Sequence, residues 1–222
     1  ICPSIRAMLA RNWRVSTGDQ IVGEPQKIVV TKIGVNDVQQ RSKDWLEQIG
    51  KHKARGAQIY LDYTDHHLGF DSPMSDFYRK VIPYADKAIA PSKSMRNVLS
   101  DFYEKPIDIV EDPIEISPQA IKSTNMPVTL LWIGIFSQAS IESRARIEYQ
   151  TGIWSPKLML HAASKSDACI IPSNVKDPRK SGASSNRLIT ALALGLPVAA
   201  DSLDSYSEFS DFYVDIRGAQ FK

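Results

Sequence analysis

The stretch "SSNRLITALALGLPVAADS", Ser184 to Ser202, decides the fold. Ser184, Ser185 and Asn186 are residue types that cap helix N-termini. Gly195 stands where a helix C-terminus calls for a left-handed residue, and Pro197 ends the helix. Between these marks Leu188, Ile189, Ala191, Leu192, Ala193 and Leu194 leave almost no polar face, so the helix is expected to be buried against a sheet. "PVAAD" (197–201) reads as the strand after it and "DACIIPS" (167–173) as the strand before. Strand, helix and strand in that order make a parallel α/β unit. The free N–H groups and positive dipole end of the helix then point where ligands sit in open α/β sheets, beyond the carboxyl ends of the strands. Arg187, with Arg179 and Lys180 upstream, adds full charge, and phosphate is the guest that such a mouth suits.

The same alternation extends in both directions. "KIVVTKI" (27–33), "AQIYLDY" (57–63) and "KAIAPS" (87–92) read as strands, separated by helical patterns over 39–53 and 74–84. A helix over 93–103 leads to "PIDIVEDPIE" and then to a polar stretch, "SPQAIKSTNMP", that reads as a linker. The pattern restarts with "VTLLWIGIF" (128–136) and a helix over 156–165. The expected organisation is an N-terminal α/β domain over 1–92, a crossover and linker over 93–127, and a C-terminal α/β domain over 128–222. Two places are too short for a parallel crossover of a dozen or more residues, near 7–14 and 136–154. Loops or whole elements of a longer chain are expected to be missing there.

Composition sets the outer bounds. With 222 residues, 43% hydrophobic and 23% charged, the chain can bury a substantial core. A net charge of +2 gives no field that demands nucleic acid or an anionic membrane as partner, so any basic site is local. Cys2 and Cys169 are far apart, and Cys169, within "ACIIP", reads as a small buried hydrophobe. No stretch approaches the ~20 apolar residues of a bilayer span, and the N-terminus lacks the signature of a secretory signal. A cytoplasmic setting is expected, with peripheral contact at the inner face of the membrane as a further expectation.

A second concentration of chemistry is "LDYTDHHLGF". Asp65, His66 and His67 lie just past a buried strand that ends near Asp62, the place where α/β enzymes keep titratable groups. Asp65, His66 or His67 is a candidate to take the proton of an acceptor hydroxyl, since imidazole titrates near neutrality and a neighbouring carboxylate holds its tautomer. Two plainer readings stand beside this one: Asp65 caps the next helix, with the histidines on the surface, or Asp-x-x-Asp-His-His binds a divalent metal without a firm ligand spacing. Glu111 and Asp112, in "VEDPIE", are further acids at a strand end, and their place at the crossover makes them candidates for catalysis as a nucleophile or for a structural hinge pair.

"ADKAIAPSKSMRNVL", "IDIVEDPIE", "TLLWIGIF" and "SDACIIPS" followed by "SSNRLITALALGLPVAADSLDSYSEF" together resemble the C-terminal half of a GT-B glycosyltransferase of the family 4 type and related bacterial surface-polysaccharide enzymes. The resemblance covers roughly residues 85 to 210, and "KARGAQIYLDYTDHHL" resembles the acceptor-side domain more loosely. It implies an α/β protein with two Rossmann-like domains facing across a cleft, a nucleotide-sugar donor on the C-terminal domain, a glycan or glycolipid acceptor, no nucleic acid, and neither cofactor nor metal. Ser184, Ser185, Asn186 and Arg187, with Ser173 and Lys180, match the place of the donor phosphate. Gly134 matches the close-approach glycine, Trp154 and Ser155 the loop against the donor base, and Ser205 and Tyr206 the turn facing the transferred sugar. The sequence departs from the family at its two glutamates, eight positions apart, whose places fall on Gly182 and Thr190. Without them a UDP or GDP donor loses its ribose clamp, and a CMP-linked sugar such as Kdo becomes an option. Two other functions fit the same residues: a sugar-nucleotide epimerase or hydrolase of this fold, and a non-catalytic nucleotide- or sugar-binding module.

Overall fold

A computed structural model of the chain describes residues 3–34, 36–114, 116–121, 129–133, 155–180 and 182–218. The chain divides into two compact units, Ile1–Pro113 and Ile114–Lys222, each holding a four-stranded sheet with every pair parallel.

The first unit begins with helix α1 (Pro3–Ala10). Residues 3–7 of "ICPSIRA" are therefore helical, and the second short place, 136–154, lies outside the described residues. The sheet runs in the order β1 (Lys27–Val30), β2 (Gln58–Asp62), β3 (Lys87–Ala90) and β4 (Ile107–Ile109). Helices α2 (Val38–Ala54), α3 (Pro73–Val81, extended by a 3-10 turn to Tyr84) and α4 (Lys93–Ser100) link successive strands. The segment expected as crossover thus carries α4 and β4, and β4 pairs with β3. Burial alternates along β2 and β3, so that Ile59, Leu61, Ala88 and Ala90 meet Phe77, Tyr78, Met95 and Leu99 in one core.

The second unit repeats the plan with β5 (Leu130–Trp132), β6 (Ala168–Ile171), β7 (Val198–Ala200) and β8 (Val214–Asp215), in that order across the sheet. Helix α5 (Pro156–Ser164) precedes β6, and α6 (Asn186–Ala193) joins β6 to β7. The apolar face of α6 is buried as expected, with Leu188 and Ala191 inaccessible beside Cys169, Ile171 and Ala200. Gly195 has φ +72°, the left-handed conformation that ends the helix. A strap over residues 116–121 seals this end: the Gln119 N–H donates to the Ala193 carbonyl at 2.7 Å, and Ile116 joins the core.

Both units use an Asp placed just before a strand to secure the start of its neighbour. Asp86, before β3, accepts the Ile59 N–H at 2.8 Å and pairs with Lys53 of α2. Asp167, before β6, accepts the Thr129 N–H at 2.8 Å, just ahead of β5. Such bonds satisfy backbone donors at the sheet margin that would otherwise need water. Among the described residues no helix is long and apolar enough to cross a membrane.

Candidate active site

In the second unit three strands deliver side chains to one place: Ser173 follows β6, Asp201 follows β7 and Arg217 follows β8. Asp201 is buried, and its two oxygens are both engaged. Oδ2 accepts the Ser173 N–H and Oδ1 accepts Arg217 Nε–H, each at 2.7 Å. Arg217 Nη2 also reaches the Ser173 carbonyl at 3.5 Å. Helix α6 brings a second guanidinium to the same serine, since Arg187 Nη2 donates to Ser173 Oγ at 3.2 Å. Arg187 also lies beside the buried Tyr206, whose phenol burial pushes above its ordinary pKa while the guanidinium draws it back.

The charges here do not cancel. Asp201 is taken up by Arg217 and a backbone N–H, whereas Arg187, half-buried, has no carboxylate partner among the described residues. A guanidinium offers five N–H donors and holds its charge at any physiological pH, so partial burial without a counter-ion favours a bound anion.

The start of α6 differs from the expected capped one. Ser185 occupies the N-cap position with φ −78° and ψ 4°, and its hydroxyl caps nothing. A capping side chain needs an extended backbone to fold back over the first turn, as Ser72, Ser92 and Ser155 do at α3, α4 and α5. The Asn186 side chain is turned to Thr190, whose Oγ1 donates to Oδ1 at 3.2 Å. Neither Ser185 nor Asn186 therefore covers the first-turn N–H groups that an anion would use. Ser184 and Lys180 are half-buried just upstream, Lys180 closing a 3-10 turn over Pro178–Lys180. Ser205 Oγ is buried with no hydrogen-bond partner among the described residues. The Ser155 hydroxyl accepts the Leu158 N–H as the α5 cap. Gly134 and Trp154 lie outside the described residues.

In the first unit Asp62 ends β2, half-buried, and its carboxyl is pushed up by burial and by the charge of Asp112. Asp112 and Glu111 are exposed beyond β4. Asp65 forms an ion pair with Lys32, which follows β1. The helix-capping reading of Asp65 is corrected: α3 is capped by Ser72 Oγ, which accepts the Ser75 N–H at 3.0 Å. The surface reading of the histidines is corrected as well, because His66 is 7% and His67 3% exposed. His67 stacks on Tyr78 with ring centroids 5.4 Å apart. His66 lies against Phe102, just past α4, with centroids 6.1 Å apart. The group that holds its imidazole is not a carboxylate but the Tyr63 hydroxyl, 3.1 Å from Nδ1. Burial lowers the His66 pKa, with Asp101 opposing. Among the described residues no three His, Cys, Asp or Glu side chains converge as metal ligands would.

No family model matches the sequence, and no curated protein matches it. Solved structures do. A crystal structure of a GtfA/B complex superposes with a TM-score of 0.51 at 10% identity, over 87% of this chain and 47% of the other. A crystal structure of TarM gives 0.48 at 12% identity, over 85% of this chain and 44% of the other. The fold shared with GtfA/B is the GT-B fold. The chain spans about half the length of the solved structures it matches. In the GT-B fold of this chain, the acidic and basic side chains singled out above stand past the carboxyl ends of parallel strands in both units, where doubly wound sheets place ligands.

Sequence reasoning missed three residues of these clusters. Asp201 was legible only as the last letter of "PVAAD", although an acid closing an apolar strand marks a strand end facing polar groups. Arg217 follows the two-residue β8, which is too short to announce itself by periodicity. Tyr63 reads as an ordinary strand aromatic, and only the fold shows its hydroxyl against His66.

Proposed function

We propose that the protein transfers a sugar from a nucleotide-linked donor to a glycan or glycolipid acceptor, as surface-polysaccharide synthesis requires, with no metal or cofactor. The observation that carries this reading is Arg187: a half-buried guanidinium, without a carboxylate partner among the described residues, at the uncapped start of α6. That arrangement stabilises negative charge developing on a leaving phosphate. Asp201 and Arg217 act behind it by fixing Ser173, against which Arg187 rests. Ser184, Ser185, Asn186 and Lys180 line the approach to the phosphate, and the turn of Ser205 and Tyr206, whose polar side-chain atoms are buried, supports the sugar end from behind.

In the same reading the second unit takes the donor and the first the acceptor. Asp65 or His66 handles the acceptor hydroxyl, with Glu111 and Asp112 past β4 of the same sheet. Thr190 and Gly182 supply no carboxylate for a ribose, which favours a CMP-linked sugar such as Kdo over UDP- or GDP-linked ones. The setting is cytoplasmic, at the inner face of the membrane when the acceptor is a glycolipid.

Calorimetric titration with CMP, UDP, GDP and dTDP tests the reading. One nucleotide binds, and Arg187→Ala weakens it roughly 10- to 100-fold, the worth of a hydrogen bond to a charged group. Equal affinity in the variant removes Arg187 from the site. Donor consumption without any acceptor identifies an epimerase or hydrolase instead.

A further inference from the structure

Apart from the Arg187 cluster, the buried polar group most fully specified by its contacts is the Tyr63 hydroxyl. Tyr63 is inaccessible to solvent, and its Oη lies 2.8 Å from the His67 N and 3.0 Å from the Leu68 N. Backbone N–H groups only donate, so the phenol oxygen accepts from both and its lone pairs are occupied. Its own hydrogen is what remains to be placed. The third atom within reach is His66 Nδ1, at 3.1 Å. Were Nδ1 protonated, three donors would converge on one oxygen and the hydroxyl hydrogen would be buried without an acceptor. With Nδ1 as acceptor every group is satisfied, and a neutral ring then carries its proton on Nε2.

We propose that Tyr63 is a positioning residue that locks His66 with its proton on Nε2, so that His66 meets a ligand as a neutral N–H donor and not as a base. Both groups have the required charge: burial pushes the Tyr63 phenol up to about 12 and lowers the His66 pKa, so the phenol keeps its proton and the imidazole stays neutral. Nε2 has no hydrogen-bond partner among the described residues. Gly69 packs closely against this edge of the ring, since a Cβ there would stand 2.4 Å from Nε2. Phe102, 41% exposed, offers an aromatic ring next to the imidazole. An N–H donor beside an open aromatic face suits a sugar, whose hydroxyl oxygen accepts and whose C–H face covers the ring. The sugar as ligand rests on the glycosyl-transfer reading; the tautomer does not. Within that reading the proton of the acceptor hydroxyl falls to Asp65.

NMR correlation of the ring carbon-bound protons with the ring nitrogens, in uniformly 15N-labelled protein at neutral pH, tests the lock, with His66→Gln assigning the signals. His66 is expected to show a pyridine-type Nδ1 and a pyrrole-type Nε2, and Tyr63→Phe to admit the Nδ1–H tautomer. A protonated Nδ1 in the wild type overturns the proposal, as does a tautomer ratio unmoved by Tyr63→Phe. Where Tyr63→Phe does not fold, the wild-type hydroxyl proton decides: a slowly exchanging resonance with a nuclear Overhauser contact to the His66 ring supports the lock, and its absence overturns it. These readouts stand whether or not the protein transfers sugar, so failure of the lock and failure of the glycosyl-transfer reading are separable.

Discussion

Asp62 shows how a single residue near the candidate site costs stability. Its carboxyl is raised by burial and by Asp112, so the native state resists ionising it. The unfolded chain releases that proton near pH 3.9. Below that pH both states hold the proton and nothing is lost; as the pH rises through the native value, the unfolded state gains. Asp62→Asn is therefore expected to raise the melting temperature at neutral pH and to have a vanishing effect in acid, measured by calorimetry across pH. Gly69 carries the opposite sign. An Ala Cβ would meet His66 Nε2 at 2.4 Å, and the ring is pinned at its other nitrogen by Tyr63. Gly69→Ala is expected to cost about 1–3 kcal/mol in urea denaturation, the usual range for overpacking. The sequence placed polar groups at this strand end correctly, because Asp62, Asp65 and His66 follow an apolar run. It hid the partner of His66, because a tyrosine at the end of "IYLDY" looks like any aromatic on a pleated strand.

Among the elements, α6 was the most legible. Its apolar residues, its glycine and the following proline each reappear as a buried face, a left-handed end and a strand start. Its beginning was not, because three candidate caps in a row identify the region but not whose backbone is extended. Its far end allows a sharp test. Ala at position 195 would impose a left-handed conformation on a side-chain-bearing residue and place Cβ 2.2 Å from the Ala120 carbonyl oxygen. The backbone term alone costs roughly 1–2 kcal/mol, before any displacement of the strap. Gly195→Ala is expected to lower the stability of the second unit by more than 2 kcal/mol, roughly, measured by denaturant titration. The short β8 lay beyond reach of sequence reading, since two residues cannot show alternation, and with it went the pairing of Arg217 with Asp201, 16 residues away.

At the scale of the whole molecule the described residues form two hydrophobic cores, one built around Ile59, Leu61 and Phe77 and the other around Ile171, Leu188 and Ala200. Calorimetry of Gly195→Ala is expected to shift the transition of the second core and leave the first in place; a single transition moving as one would show the two to be coupled. Acid adds a second global expectation. The native His66 pKa lies below its ordinary value, so as the pH falls through about 6.5 the unfolded chain binds a proton that the native ring refuses. Stability should decline over that window, and His66→Gln should flatten the decline in urea titrations at successive pH values. The alternating α/β plan was readable because β1, β2, β3, β5, β6 and β7 each carry an apolar run bounded by turn or helix signals.

The strap over 116–121 has a mechanical consequence. It leaves the first unit at Pro113 and is fastened within six residues to the tail of α6. An eight-residue helix is a rod about 12 Å long. The strap and the guanidinium therefore sit at opposite ends of one short rod, the first tied to its tail and the second carried by its first turn.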